Sequence, residues 1–206
     1  MLFDYLKANY MPNEPIFVSD IDLPVTDVNL RQMFKVLCDS GKIKRFESGI
    51  YYLPKESRIK GGAPLGADTV AKYKYIYRKG KVDGYYSGYT FANQLGVTTQ
   101  VPYMLEIVSN NASAKVREVN LHGQRILLRK SKFLVTEKNF KVLQFLDFLK
   151  DAELYSETDK DVLCNRIRKY ILEAKIKKAD VDMYIEKYPD KIFRYIYEMR
   201  LYDVFT

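Results

Sequence analysis

Several residue types that build functional sites are scarce in this chain of 206 residues, which has 2 cysteines, 1 histidine and no tryptophan. Two cysteines, Cys38 and Cys164, are too few for a disulfide framework or a four-cysteine zinc site. No apolar run approaches the roughly 18 residues that cross a bilayer. The first residues also lack the basic and then apolar pattern of a secretory signal. We therefore expect a cytoplasmic protein with no membrane partner.

The motifs of common catalytic and metal sites are also missing from the sequence. It contains no His-Glu-x-x-His, no paired Cys-x-x-Cys and no Gly-x-Ser-x-Gly. The stretch 61–66 has the glycines of a phosphate loop, but no Lys-Ser/Thr follows it and Pro64 lacks an amide donor. We expect no catalytic residue, no metal site and no cofactor, so the chain is not predicted to be an enzyme.

Positive charge is abundant but unevenly distributed. Lys and Arg number 34 against 26 Asp and Glu, a net charge of +8. Counted along the chain, the net charge is +1 for residues 1–60, +7 for residues 61–136 and zero for residues 137–206. A solvated surface is one explanation for such an excess. The other is contact with a polyanion such as nucleic acid.

Helical and strand patterns alternate in the first 58 residues. A short helix is predicted over 1–10 and a helical turn over 20–22, and a longer helix over about 27–40 begins at Thr26 or Asp27. Leu30, Met33, Phe34 and Leu37 would form its buried stripe. Strands over 42–46 and 50–53 then flank the turn Glu47-Ser48-Gly49. This order is typical of a winged helix-turn-helix.

The rest of the chain mixes helices and strands. One helix is predicted to begin at Asp68 or Thr69 and to carry Val70, Tyr73 and Tyr77, and another to begin at Ser87. Strands are predicted over 103–109, 115–121, 124–130 and 132–135. Helices follow after Asn139, the last of them after Pro189 and including Arg200-Leu201. The sequence thus predicts an α+β protein. An N-terminal winged helix-turn-helix covers residues 1–58, a linker about 59–66, and an α+β domain 67–206, with a small antiparallel or mixed sheet and a helical C-terminal part.

The predicted longer helix presents polar side chains opposite its buried stripe. Asn, Gln and Arg pair with base edges in the major groove, and Lys suits phosphate. Any one of these residues could be an ordinary exposed side chain, but as a set they favour DNA contact. The predicted DNA-binding residues of the helix and of the wing are Thr26, Asn29, Arg31, Gln32, Lys35, Lys42, Lys44, Arg45 and Ser48.

Basic residues of the middle segment form two clusters, which we predict as additional anion contacts. They are Lys72, Lys74, Arg78, Lys79 and Lys81, and then Arg125, Arg129, Lys130 and Lys132. Tyrosines are interleaved with them, at positions 73, 75, 77, 85, 86, 89 and 103. Basic and aromatic side chains together can stack single-stranded nucleic acid, but packing of a half-buried surface is the more common use of tyrosine.

Two stretches of the sequence resemble a known family. The stretch 40–54, Ser-Gly-Lys-Ile-Lys-Arg-Phe-Glu-Ser-Gly-Ile-Tyr-Tyr-Leu-Pro, closely resembles the end of the winged helix in the AbiEi family of bacterial antitoxins. The stretch 84–102, Gly-Tyr-Tyr-Ser-Gly-Tyr-Thr-Phe-Ala-Asn-Gln-Leu-Gly-Val-Thr-Thr-Gln-Val-Pro, is similar to the block that opens the second domain in related proteins. The resemblance spans about residues 1–135.

The resemblance implies an antitoxin of a type IV toxin–antitoxin system, associated with abortive infection as a defence against phage. Its winged helix would repress its own operon by binding double-stranded promoter DNA at inverted repeats. Its second domain would counter a nucleotidyltransferase-like toxin, often without a stable complex. The family's second domain is thought to help hold DNA, which agrees with the position of the excess charge.

Two alternatives stay open at this point. One is a winged-helix regulator or interaction module whose second domain binds a protein or RNA partner without antitoxin activity. The other is an enzyme that acts on nucleic acid or nucleotides. A neighbouring gene that encodes Gly-Ser followed by Asp-x-Asp/Glu, the nucleotidyltransferase pattern, would favour the antitoxin.

Overall fold

The computed structural model describes residues 1–55 and 64–205, which form two compact units, Met1–Tyr73 and Lys74–Thr206. The boundary between them along the chain falls within one helix, α3 (Ala67–Tyr75). The α+β class predicted from the sequence is confirmed. Of the predicted linker 59–66, residues 59–63 lie outside the described residues, and 64–66 lead directly into α3.

The first unit opens with alternating helices and strands. These are α1 (Leu2–Asn9), β1 (Ile16–Phe17), a 3-10 turn (Val18–Asp20), α2 (Asp27–Asp39), β2 (Lys44–Glu47) and β3 (Ile50–Tyr52). The strands form an antiparallel sheet in the order β1-β3-β2, so the last strand lies in the centre. The short helical turn begins two residues before the predicted 20–22.

Helix α2 packs against this small sheet through its apolar stripe. Leu30 and Phe34 are buried, and the rings of Phe34 and Tyr51 lie 4.8 Å apart between centroids. The helix begins where predicted because the Thr26 hydroxyl accepts a hydrogen bond from the Asn29 amide at 3.3 Å, which satisfies one of the first free amides. The same core also contains Leu6 and Ile16, so α1, α2 and the sheet hold one another in place.

The second unit contains two sheets and a helical C-terminal part. Its strands are β4 (Tyr77–Arg78), β5 (Lys81–Val82), β6 (Gly84–Tyr86), β7 (Met104–Ser109), β8 (Val116–Leu121) and β9 (Gln124–Lys130). The helices are α4 (Gly88–Leu95), α5 (Phe140–Leu149), α6 (Ala152–Tyr155), α7 (Lys160–Ala174), α8 (Lys178–Tyr184) and α9 (Lys191–Glu198).

The larger sheet of this unit has the order β6-β7-β9-β8 and is mixed. Strands β7 and β9 run parallel in its centre, while β6 and β8 pair antiparallel at the edges. Strands β4 and β5 form a separate antiparallel hairpin. The sheet therefore agrees with the mixed alternative predicted from the sequence.

Helix α5 connects the sheet to the helices. Leu143 packs with Tyr85 and Val108 of the sheet, whereas Phe145 and Phe148 belong to a larger core formed with the other helices. The helix is apolar over most of its circumference, as expected of a helix buried on several sides.

Three predictions about element boundaries are wrong. Residues 132–135 are not a strand, because β9 ends at Lys130 beside Ser109, the last residue of its parallel partner. Helix α3 ends before Tyr77, which starts β4. The last helix ends at Glu198 because Arg200 adopts a left-handed conformation with φ 49°.

The described ranges, 1–55 and 64–205, contain no helix that is long and apolar enough to cross a lipid bilayer.

Candidate nucleic-acid interface

The outward face of α2 carries the polar side chains that the sequence singles out. Asn29, Arg31, Gln32 and Lys35 are all exposed, while Leu30 on the opposite side is only 5% exposed. Thr26 is also exposed, but its hydroxyl caps the helix and so has a structural task. Because α2 is packed through Phe34, its polar face is held on a fixed support.

Two valines share this exposed face and were not among the predicted contacts. Val28 is 72% exposed and Val36 is 55% exposed. Apolar side chains on a recognition surface can contact the methyl group of thymine. The helical repeat already places both valines opposite Leu30 and Phe34, so the sequence could have predicted that they are exposed on this face.

The β2–β3 hairpin presents the second predicted set. Arg45 is exposed, and its Nε donates to the carbonyl of Glu47 at 3.3 Å, where the strand pairing is irregular. Ser48 is exposed in the turn. Lys44 pairs with Tyr52 in the hairpin, and the Lys42 ammonium lies 5.3 Å from the ring centroid of Phe3 on α1. The hairpin thus carries cations, and Lys42 also contacts the first helix.

The first basic cluster of the middle segment includes a tight hairpin. Strands β4 and β5 pair Arg78 with Lys81, and the turn between them is Lys79-Gly80, with φ of 51° and 73°. Two positive φ values in a two-residue loop are typical of a type I′ turn, whose twist matches that of the strands. The turn places three cations within four residues. Lys72 is exposed on α3, and the Lys74 ammonium lies 5.8 Å from the Tyr75 ring centroid.

The second basic cluster is mostly engaged in internal contacts. Arg129 donates from Nη1 to Glu106 at 2.7 Å. Arg125 donates to Glu118 at 2.6 Å, and this hydrogen bond raises the pKa of the guanidinium. The Lys132 ammonium donates to the carbonyl of Lys187 at 3.1 Å. Lys130 is exposed at the end of β9. That all four contact an anion stays a prediction.

The Arg129–Glu106 pair supports the start of α4. Glu106 also accepts from the Tyr89 amide at 2.9 Å, and its own amide donates to the Thr90 hydroxyl at 2.9 Å. Gly88 lies against the Glu106 carboxyl with φ 53°. A carboxylate at a helix N-terminus accepts hydrogen bonds from free backbone amides, and its negative charge interacts favourably with the helix dipole. Several residues of the stretch 84–102 therefore have a structural role at the start of α4.

A second carboxylate holds the loop that follows α4. Glu157 accepts hydrogen bonds from the Thr98 hydroxyl at 2.8 Å, the Thr99 amide at 3.0 Å and the Gln100 side chain at 2.6 Å. These donors favour the charged form and lower the pKa of Glu157, with the Thr99 amide as the largest cause. The polar residues of this loop therefore serve a structural purpose.

The interleaved tyrosines divide into packed and exposed residues. Tyr75 and Tyr85 are buried, and Tyr89 packs edge-on against Tyr155 at 4.9 Å between ring centroids. The Tyr85 hydroxyl donates to Asp147 at 2.8 Å, and burial raises the pKa of Tyr85. Tyr103 is 78% exposed. Packing is therefore the role of most of these rings.

Comparison with protein-family models matches residues 14–178 of the chain to the family described as "Family of unknown function (DUF6088)". The match covers more than half of the chain, and the chain belongs to this family. Comparison with curated protein sequences finds no match.

Proposed function

We propose that this chain is a DNA-binding autorepressor and antitoxin, and that its first unit is a winged helix-turn-helix. The observation that carries the proposal is the element order α1-β1-turn-α2-β2-β3 with sheet order β1-β3-β2. In a winged helix-turn-helix, a second helix enters the major groove and the hairpin that follows it is the wing.

The side chains of α2 support a role in base recognition. Arg31 and Gln32 extend from a helix whose other face is fixed in the core, and neither is buried. Arg pairs in a bidentate manner with guanine, and Gln and Asn with adenine. Asn29 adds a third such side chain within the first turns of the helix.

The hairpin supports phosphate contact. Lys44 and Arg45 lie on β2, next to the turn Ser48-Gly49. Cations that neutralise phosphates raise affinity for all sequences and make it depend on salt. The first unit is nearly neutral overall, so cations from the second unit would add to the footprint.

The antitoxin half of the proposal rests on the similarity to the AbiEi family in residues 40–54 and 84–102. On this reading, the protein acts in the cytoplasm, represses its own promoter at inverted repeats and counters a nucleotidyltransferase-like toxin. It needs no cofactor and performs no catalytic step. Co-expression with the product of a neighbouring nucleotidyltransferase-like gene tests this half, and restored growth is the expected outcome.

An interaction module is the second candidate. Val101 and Tyr103 of the second unit are 86% and 78% exposed, and exposed apolar side chains are common at protein interfaces. On this reading, the second unit binds a protein or RNA partner without antitoxin activity. Failure to neutralise the neighbouring toxin, together with intact promoter binding, would favour it.

The DNA-binding half is tested with promoter DNA from upstream of the chain's own gene. Arg31→Ala is expected to cost about 1–3 kcal/mol of binding and to weaken the preference over scrambled DNA. Lys44→Ala with Arg45→Ala is expected to weaken binding to both DNAs and to reduce its salt dependence. Lys7→Ala, on α1, is the matched control. Unchanged binding in both test variants would contradict the proposal.

A further inference from the structure

We propose that the second unit binds a small phosphorylated compound, through its diphosphate group, in a pocket where helices α4, α5 and α7 meet. The pocket has a volume of about 280 Å³. This is just below the range of about 300–1,000 Å³ that is usual for drug-sized ligands. None of the residues predicted to contact DNA lines it, so the site is separate from the proposed interface.

The walls of the pocket are strongly basic. Lys141 comes from α5, and Arg166 and Lys169 come from one face of α7. Among the described residues that line the pocket, Glu173 is the single acid, and it lies 3.7 Å from the Lys169 ammonium. The lining therefore keeps a net charge of +2 after this pair.

The other two cations have no carboxylate partner in the part of the chain that the structure describes. Lys141 lies over aromatic rings, with its Nζ 5.0 Å from the centroid of Phe140 and 5.5 Å from that of Tyr170. Arg166 lies beside Gly96: a Cβ added to Gly96 would be 3.5 Å from Cζ of the Arg166 guanidinium. Both charged groups are thus positioned by the protein but available to an anion.

The polar atoms at the floor of the pocket already have hydrogen-bond partners within the protein. Gln144 is 6% exposed; its Nε2 donates to the Tyr86 carbonyl at 2.7 Å, and its Oε1 accepts from the Tyr170 hydroxyl at 2.8 Å. The rings of Phe91 and Tyr170 pack edge-on at 5.1 Å between centroids. Because Gln144 and Tyr170 bond to other protein groups, the cations of the wall and the exposed Gln94 amide are the groups left to recognise a ligand.

A multivalent phosphate fits these observations better than a DNA backbone. Arg and Lys form strong charge-assisted hydrogen bonds with phosphate oxygens. The two cations without a carboxylate partner, Lys141 and Arg166, together with Lys169, match the several negative charges of a diphosphate. Duplex DNA presents its phosphates on a broad, convex surface, whereas this site is concave and lies between helices. All three basic residues line it, so a compact ligand bound there would lie among them.

The test measures binding of inorganic pyrophosphate to the full chain by calorimetry at constant ionic strength. Wild-type protein is expected to bind it, and Lys141→Gln with Arg166→Gln to weaken binding by about tenfold or more. Lys138→Gln with Lys178→Gln removes two exposed charges outside the pocket and should bind normally. Arg31→Ala should also bind normally, because it changes only the proposed DNA interface.

Several results would overturn the proposal. One is no binding of pyrophosphate to the wild-type protein. Another is equal weakening in the control pair, or equal affinity for sulfate, either of which would indicate nonspecific attraction of anions. If the wild type does not bind pyrophosphate and the Lys141/Arg166 variant also loses promoter binding, the pocket is instead a nucleic-acid contact. Thermal unfolding of each variant checks that the fold is retained.

Discussion

Gly88 has both a backbone conformation and a neighbour that disfavour any side chain. Its φ of 53° lies in the left-handed region, and a Cβ would collide with the Glu106 carboxyl. That carboxyl cannot move freely, because it accepts from the Tyr89 amide and pairs with Arg129. The glycine therefore permits the ion pair that starts α4.

We expect Gly88→Ala to destabilise the second unit by about 2–4 kcal/mol, as the sum of backbone strain and displacement of Glu106. Gly80→Ala is the control, because Gly80 has φ 73° but no atom within 4 Å of its Cβ position. This change should cost only the conformational strain, about 1–2 kcal/mol. Chemical denaturation measures both, and equal losses would show that the contact with Glu106 contributes nothing.

The sequence predicts the exposure of some residues but not the partners of others. The exposure of Arg31 and Gln32 follows from helical periodicity alone, once Leu30 and Phe34 are assigned to the core. The pairing of Arg129 with Glu106 does not, since the two are 23 residues apart. It depends on β7 and β9 being neighbours, and for this reason Arg129 was predicted as an anion contact without regard to its partner.

One carboxylate holds the whole loop that follows α4 through several hydrogen bonds. Four donors from Thr98, Thr99 and Gln100 converge on Glu157. The residues are close to 60 positions apart in sequence, so the contact joins the loop after α4 to the segment before α7. This arrangement makes the stability of the unit depend on the ionisation of Glu157.

We expect Glu157→Gln to destabilise the protein at pH 7 and to have progressively less effect in acid. The pKa of Glu157 is lowered in the folded state, so its contribution is complete above the unfolded value of about 4.3 and is lost as pH falls through the folded value. Denaturation of both proteins between pH 7 and pH 3 measures this. Glu186→Gln, at an exposed site, is the control, and a pH-independent difference for Glu157 would contradict the mechanism.

Local patterns predict elements better than pairings. Helix α2 and strands β7, β8 and β9 lie within one or two residues of their predicted bounds, because their apolar residues follow regular periods. The β4–β5 hairpin was not predicted, because Tyr73 and Tyr77 at helical spacing favoured a longer α3. The parallel pairing of β7 with β9 leaves β8 at the edge of the sheet. It joins strands that are not consecutive in the chain, which no local pattern records.

At the level of the whole molecule, net charge and charge available to a partner differ. The segment 61–136 carries +7 by sequence, yet Arg125 and Arg129 form ion pairs within the sheet. The β4–β5 hairpin concentrates three cations around one turn, and this local density of charge makes it a site at which to test a contribution of the second unit to DNA binding.

We expect Arg78→Gln, Lys79→Gln and Lys81→Gln together to reduce the slope of log affinity against log salt by about 0.9 for each phosphate that the variant no longer neutralises. The preference for promoter over scrambled DNA should stay the same, because phosphates carry no sequence information. The matched control replaces Lys138, Lys178 and Lys187, three exposed lysines, with Gln. If both triple variants have the same slope, the hairpin does not contact DNA.

Strand β8 lies at the edge of the mixed sheet, and most of its residues are exposed. An edge strand presents unpaired backbone groups that can recruit a second chain into a growing sheet. Here, Arg117 and Glu118 follow one another on that strand and so lie on opposite faces of the sheet, and a docking copy would meet a charged side chain on each face. The same polar surface that makes β8 an unpromising interface thus protects the folded protein against aggregation at high concentration.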